Sequence, residues 1–130
     1  MKFAKWTFLI AGIWGVLVTT PLYFMETQTG LDYPPVLNHP EYYYGFAGVT
    51  LAWQVAFLII SRDPKRLRPV MLAAIIEKFS ALAWFVLYFQ QRIPTILVGF
   101  GMVDLVLCIL FVIAYLRTAD AAVSQQKMTY

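Results

Sequence analysis

Apolar residues in this chain do not alternate with polar ones; they gather into four long runs separated by polar connections. The runs extend roughly over Ala4–Phe24, Tyr43–Ile60, Val70–Phe89 and Pro94–Leu116. Each is close to the ~20 residues that a helix needs to cross the hydrocarbon core of a bilayer. A backbone in hydrocarbon must satisfy its own amides and carbonyls, so runs of this length predict helices. A membrane barrel would instead show apolar and polar positions in alternation. The expected architecture is all-α: one integral membrane four-helix bundle occupying residues 1–130.

Composition sharpens this. Apolar residues make up 61% of the chain and charged residues only 13%, about half the usual charged share of ~25%. A water-soluble domain this small has too much surface to hide so much apolar material. The net charge of +3 is modest, and its placement says more than its size. Lys2 and Lys5 precede the first run. Arg62, Lys65, Arg66 and Arg68 sit between the second and third, and Arg117 and Lys127 follow the fourth. Arg92 alone falls on the other side. Basic residues favour the cytoplasmic face, so both termini are expected there, in a chain that crosses the inner (plasma) membrane repeatedly. Tyr23 and Phe24, Tyr42 to Tyr44, and Tyr88 and Phe89 fall at the opposite boundary, where aromatic side chains suit the interface. With the basic residues explained by topology, nothing points to nucleic acid. No small-residue cleavage site follows the first run, where Pro21–Glu26 reads PLYFME, so it is expected to stay as a helix.

Short links should make the second and third helices, and the third and fourth, antiparallel neighbours. Small residues mark close helix contacts in lipid. Ala11, Gly12 and Gly15 on the first helix, and Gly45, Gly48, Ala52 and Ala56 on the second, are the candidates. They could serve the bundle or an oligomer. From Ala119 onward the chain is polar enough to predict a short flexible or interfacial tail.

Three charged residues stand out deep inside the runs: Glu77 and Lys78 in the third, Asp104 in the fourth. Each costs about 2.5 to 3.5 kcal/mol to insert unless it finds company. At ~1.5 Å of rise per residue, Lys78 lies about 14 Å and Asp104 about 18 Å from the cytoplasmic ends of their helices. A lysine stem spans that offset, so the two form a candidate ion pair. Glu77, about 100° further round the helix, then needs a partner of its own: Thr19, Thr20, the amide of Gln54, or a proton. Glu77, Lys78, Asp104 and Gln54 form either a ligand-binding or proton-handling centre or a structural clasp that fixes helix register.

The connection Met25–Glu41 is the longest, and one above ~12–15 residues without a role is uncommon. A folded cap over the outer mouth of the bundle is the leading reading. His39 and Glu41, with Glu26, are weak candidates for a divalent metal, since nothing in the sequence fixes their geometry. No resident metal or other cofactor is assigned, and the single His excludes a bis-histidine haem within one chain. The basic set Arg62, Lys65, Arg66 and Arg68 could hold an anionic lipid or phosphate, or serve topology alone. Asp63 before Pro64 signals a turn. Cys108, the single cysteine, cannot form an intramolecular disulfide and reads as a small core residue. Phosphate-binding, dinucleotide-binding, nucleophile-elbow and zinc motifs are all missing from the sequence.

Tyr44-Gly-Phe, Ala52-Trp-Gln, the run Ser61-Arg-Asp-Pro-Lys-Arg-Leu-Arg-Pro69, the pair Glu77-Lys78, and Asp104 together resemble the small four-helix bacterial membrane proteins described as BphX-like. The likeness runs from Glu41 to Arg117. It implies the same architecture and a bacterial source, and it supplies no reaction. The leading functional expectation is therefore non-enzymatic: a small accessory or structural subunit packed against other membrane subunits or copies of itself. The alternatives are a binding protein or enzyme for a lipophilic ligand, centred on Glu77, Lys78 and Asp104, or a proton-coupled small-solute carrier acting as an oligomer.

Overall fold

The computed structural model describes residues 2–128, the side chains of 120–127 excepted; Lys127, counted above among the basic flanks, lies in that stretch. Described elements are helical: α1 (Lys2–Thr19), a 3₁₀ turn (Thr20–Phe24), α2 (Glu26–Asp32), α3 (Pro40–Arg62), α4 (Arg68–Phe79), α5 (Leu82–Phe89) and α6 (Thr95–Met128). Four helical stretches, Lys2–Phe24, Pro40–Arg62, Arg68–Phe89 and Thr95–Ala119, are long and apolar enough to cross a membrane.

Proline and serine explain where these helices start, tighten or break. Pro21 has no amide hydrogen to continue α1, and the chain there narrows into the 3₁₀ turn. Pro40 instead opens α3, in the first turn, where an amide would have no helical partner anyway. The third span is not one helix. At Ser80 (φ −58°, ψ −19°) and Ala81 (φ −61°, ψ −17°) the backbone takes values close to a 3₁₀ helix. The Ser80 hydroxyl donates to the carbonyl of Glu77 at 2.5 Å. Such local bonding competes with the helical ladder. At the far end, α6 continues as helix to Met128 where a flexible or interfacial tail was expected from Ala119.

The spans are ordered α3, α1, α6 and then α4 with α5 around the bundle, and α3 meets α4 only lightly. The most extensive interface joins α1 to α3, although the longest connection separates them. The short-link expectation holds for the third and fourth spans, where α4 and α5 pack on α6, and side-chain size accounts for the larger α1–α3 contact. Ala11 is fully buried, and Gly12 and Gly15 let α3 approach closely. A methyl group on Gly12 would press on Leu58, and one on Gly15 would overlap the side-chain amide of Gln54. The small residues of α3 contribute less: Gly45 and Ala52 face outward and Ala56 is half-buried, while Gly48 lies against the Tyr23 hydroxyl. The buried face of α3 is Ala47, Gln54, Phe57, Ile60 and Ser61.

At the centre, Phe8 of α1 stacks on Phe111 of α6 with centroids 4.2 Å apart, and Phe57 of α3 meets Phe111 edge-on at 5.0 Å. Met71 and Ala74 of α4 complete the core. Packing of this kind contributes about 0.5 to 1.5 kcal/mol per aromatic pair beyond area alone. The outward faces are also apolar: Leu17 is 69% exposed, Ile76 70% and Ile109 61%. The connection between α1 and α3 is folded, with α2 inside it. Tyr44 donates to Glu26 Oε2 at 2.8 Å, and Tyr43 donates to the carbonyl of Leu22 at 2.6 Å.

Gly15→Ala is expected to destabilise the bundle by about 1 to 3 kcal/mol through overpacking against Gln54. In the Gly15→Ala/Gln54→Ala double variant the loss should be smaller than the sum of the single losses, read by thermal unfolding in detergent. Strict additivity would show that the two residues are not in contact.

Candidate functional site

The polar centre is built by α4 and α6, whose close packing brings two carboxylates to one ammonium. Lys78 Nζ lies 3.1 Å from Asp104 Oδ1, within hydrogen-bond distance, and 3.6 Å from Glu77 Oε2. Lys78 is 4% exposed, Glu77 19% and Asp104 30%. The ring of Phe57 closes the other side, its centroid 5.3 Å from the ammonium. Lys78 thus stands close to both acids, although the 100° offset suggested separate neighbours for Glu77 and Lys78. Glu77 nonetheless remains under-satisfied. Its Oε2 is enclosed and makes no hydrogen bond among the described residues.

With all three groups ionised, one positive charge stands against two negative ones, an excess of one negative charge. Removing one partner from such a cluster leaves an uncompensated charge, which is why pairing matters more here than on a wetted surface. The 3₁₀ kink follows at once, at Ser80–Ala81. Tightened turns inside helices recur at hinges and functional positions.

Beside this centre, the light contact between α3 and α4 leaves a cleft of ≈ 390 Å³. Phe46, Thr50 and Trp53 line it from α3, and Ile76 and Glu77 from α4, with Ser80 at the kink. Its walls are mostly apolar, and its polar side chains are one carboxylate and two hydroxyls. Small-molecule sites typically occupy about 300 to 1,000 Å³ and combine apolar walls with a few polar groups. The ligand-binding alternative expects a cavity beside Glu77, but the sequence did not name the residues that line it. Phe46 and Trp53 carry no signal of their own, because aromatic residues in an apolar run are ordinarily packing.

The other candidates lie elsewhere. Gln54 is buried on the α1 side of α3, donating from Nε2 to the carbonyl of Thr50 at 2.9 Å, with Oε1 unpartnered among the described residues. It belongs to the α1–α3 contact, not to the ion cluster. Arg68 is engaged: its Nε donates to the carbonyl of Tyr115 at 3.0 Å, and its guanidinium stacks 3.7 Å over the Tyr115 ring. Arg62 and Arg66 are exposed and Lys65 half-buried, and the Arg66 amide donates to Asp63 Oδ1 at 3.3 Å. His39 Nδ1 and Glu41 Oε1 are 3.1 Å apart on the surface, while Glu26 accepts from Tyr44 instead of joining them. Among the described residues no group of three or more His, Cys, Asp or Glu could hold a metal ion. Cys108 is buried, its thiol 3.7 Å from the carbonyl of Ile75.

No family model, no curated protein and no solved structure matches this chain.

The geometry ranks the members of the cluster. Lys78→Met should cost about 3 to 5 kcal/mol of stability, because it strands both carboxylates. Asp104→Asn should cost less, about 1 to 2 kcal/mol, since Glu77 still faces the ammonium. Denaturant unfolding in detergent micelles measures both, and an equal loss for the two variants would mean that Lys78 does not serve two partners.

Proposed function

We propose that this chain is a multi-pass protein of the inner (plasma) membrane, with both termini cytoplasmic, that binds a lipophilic ligand in the α3–α4 cleft. Four apolar helices with apolar outward faces support insertion. The cytoplasmic ends are assigned from Lys2, Lys5, Arg62, Lys65, Arg66, Arg68 and Arg117, against Arg92 alone on the other side. The observation that carries the binding reading is Glu77: a carboxylate within a membrane-length helical stretch, with one enclosed oxygen short of hydrogen bonds, that lines a cleft of ligand size. Ionisable groups at such depth are costly to keep and therefore point to function. The ligand's apolar body would lie against Phe46, Trp53 and Ile76, with its polar group toward Glu77. No reaction is assigned to the cleft.

One observation favours a second reading, that of an accessory subunit. Where α3 and α4 touch only lightly, Val49 and Ile76 present apolar surface that a partner helix would cover. Native mass spectrometry of the protein purified with its lipids separates the two. The binding reading expects a small-molecule adduct that Glu77→Gln removes while the variant keeps its melting transition. A stoichiometric partner chain and no adduct would establish the accessory role instead. An adduct retained by Glu77→Gln would overturn the assignment of the cleft.

Sidedness has its own test. With Cys108→Ala as background, a cysteine placed by Arg66→Cys should resist an impermeant thiol reagent added to intact cells and react once the membrane is opened. Labelling from outside in intact cells would reverse the topology.

A further inference from the structure

The chemistry of the cleft goes further than a lipophilic ligand in general. We infer that it takes an amphiphilic organic cation, such as a quaternary ammonium or phosphonium, whose charge sits between Glu77 and the aromatic rings of Phe46 and Trp53. This rests on the binding reading above and narrows its ligand class. Three observations lead to it.

The first is charge. Glu77, Lys78 and Asp104 carry one negative charge in excess when ionised, and the single lysine is already shared between the two acids. A cation arriving beside Glu77 balances the cluster, and an anion would worsen it. Lys78, 4% exposed, offers the cleft no positive group. The second is the wall. Phe46 and Trp53 line the same cleft as Glu77. Aromatic faces attract cations through the ring quadrupole, tryptophan most strongly, and the attraction grows as water is removed. The third is the scarcity of other polar groups. Thr50 and Ser80 are the remaining polar side chains of the lining, and the Ser80 hydroxyl is spent on the carbonyl of Glu77. A strongly hydrated metal ion needs a shell of about six or more oxygens, which one carboxylate and one free hydroxyl do not supply. A diffuse organic cation carries little hydration to replace and brings apolar groups for Val49, Ala73 and Ile76.

The test is a pair of probes matched in size and shape and opposite in charge. The full chain in lipid nanodiscs is titrated with tetraphenylphosphonium and with tetraphenylborate, following Trp fluorescence and bound probe by equilibrium dialysis against empty nanodiscs. The expected result is saturable binding of tetraphenylphosphonium, about one per chain, with none of tetraphenylborate beyond the empty discs. Glu77→Gln should weaken the phosphonium by about tenfold to a hundredfold, the range for a lost bond to a charged group. Trp53→Leu should weaken it by about fivefold. Val49→Trp, which fills the cleft while leaving Glu77, Lys78 and Asp104 in place, should abolish binding and keeps the proposal testable if Glu77→Gln fails to fold.

Equal binding of the two probes, or phosphonium binding indifferent to both Glu77→Gln and Val49→Trp, overturns the inference. If the protein refuses phosphonium yet carries an uncharged adduct that depends on Glu77, the cation assignment fails and the binding reading stands. If it refuses phosphonium, carries no adduct and retains a partner chain, both fail together.

Discussion

One ammonium held between two carboxylates is the interaction on which the rest of this structure turns. In hydrocarbon an isolated charge is costly, and the cost falls only when opposite charge is within contact distance. Lys78 meets that condition through Asp104 on α6 and Glu77 on its own helix. Because one partner lies on another helix, the pairing is also a positional constraint. It holds α4 against α6 at the level of the aromatic core, where Phe57 covers the ammonium and packs in turn on Phe111.

That constraint has a geometric consequence on the opposite face. The bundle is pinned by small residues along α1–α3 and by charge along α4–α6, and neither device acts between α3 and α4. The faces that meet there carry Phe46 and Trp53 on one side and Ile76 and Glu77 on the other. Side chains of that size keep two helices apart, since close approach of backbones in lipid depends on small residues. The cleft is thus what remains when the stronger contacts are satisfied elsewhere. Glu77 borders this gap while its enclosed Oε2 stays 3.6 Å from the ammonium, outside hydrogen-bond distance. The kink at Ser80–Ala81, one turn beyond, belongs to the same locality, since the Ser80 hydroxyl takes up the carbonyl of Glu77.

Much of the helical layout was legible in the sequence, because a run of ~20 apolar residues has few other folds available. The approach of Lys78 to Asp104 was legible as well, from helix rise and the length of a lysine side chain. The order of the helices was legible only in part: the third and fourth spans pack together as their short link suggests. Short links suggested that α3 and α4 would pack, whereas the fit of Gly12 and Gly15 beneath Leu58 and Gln54 decided for α1 and α3. Link length limits which helices can be neighbours; side-chain volume decides which of them close up. Gln54 shows a related ambiguity: a polar residue in an apolar run must find cover, but the run does not say on which side, and it lies against α1. Arg68 was grouped with a basic set that could hold a phosphate or serve topology alone, yet it is taken up by the carbonyl and ring of Tyr115, 47 residues away. Nor did the third run announce its break, since a lone serine in a helix usually bonds back without tightening the turn.

The central claim is that one lysine nitrogen is in contact with two carboxyl groups while the protein sits in lipid. Solid-state NMR of the chain in bilayers, with ¹⁵N at the Lys78 side chain and ¹³C at the carboxyls of Asp and Glu, measures this directly through the dipolar coupling between the labels. The account predicts strong coupling from Lys78 Nζ to both Asp104 and Glu77, as distances of 3.1 and 3.6 Å to their oxygens require. A Lys78 nitrogen with no carboxyl carbon nearby, or one whose protons exchange freely with bulk water, would contradict it.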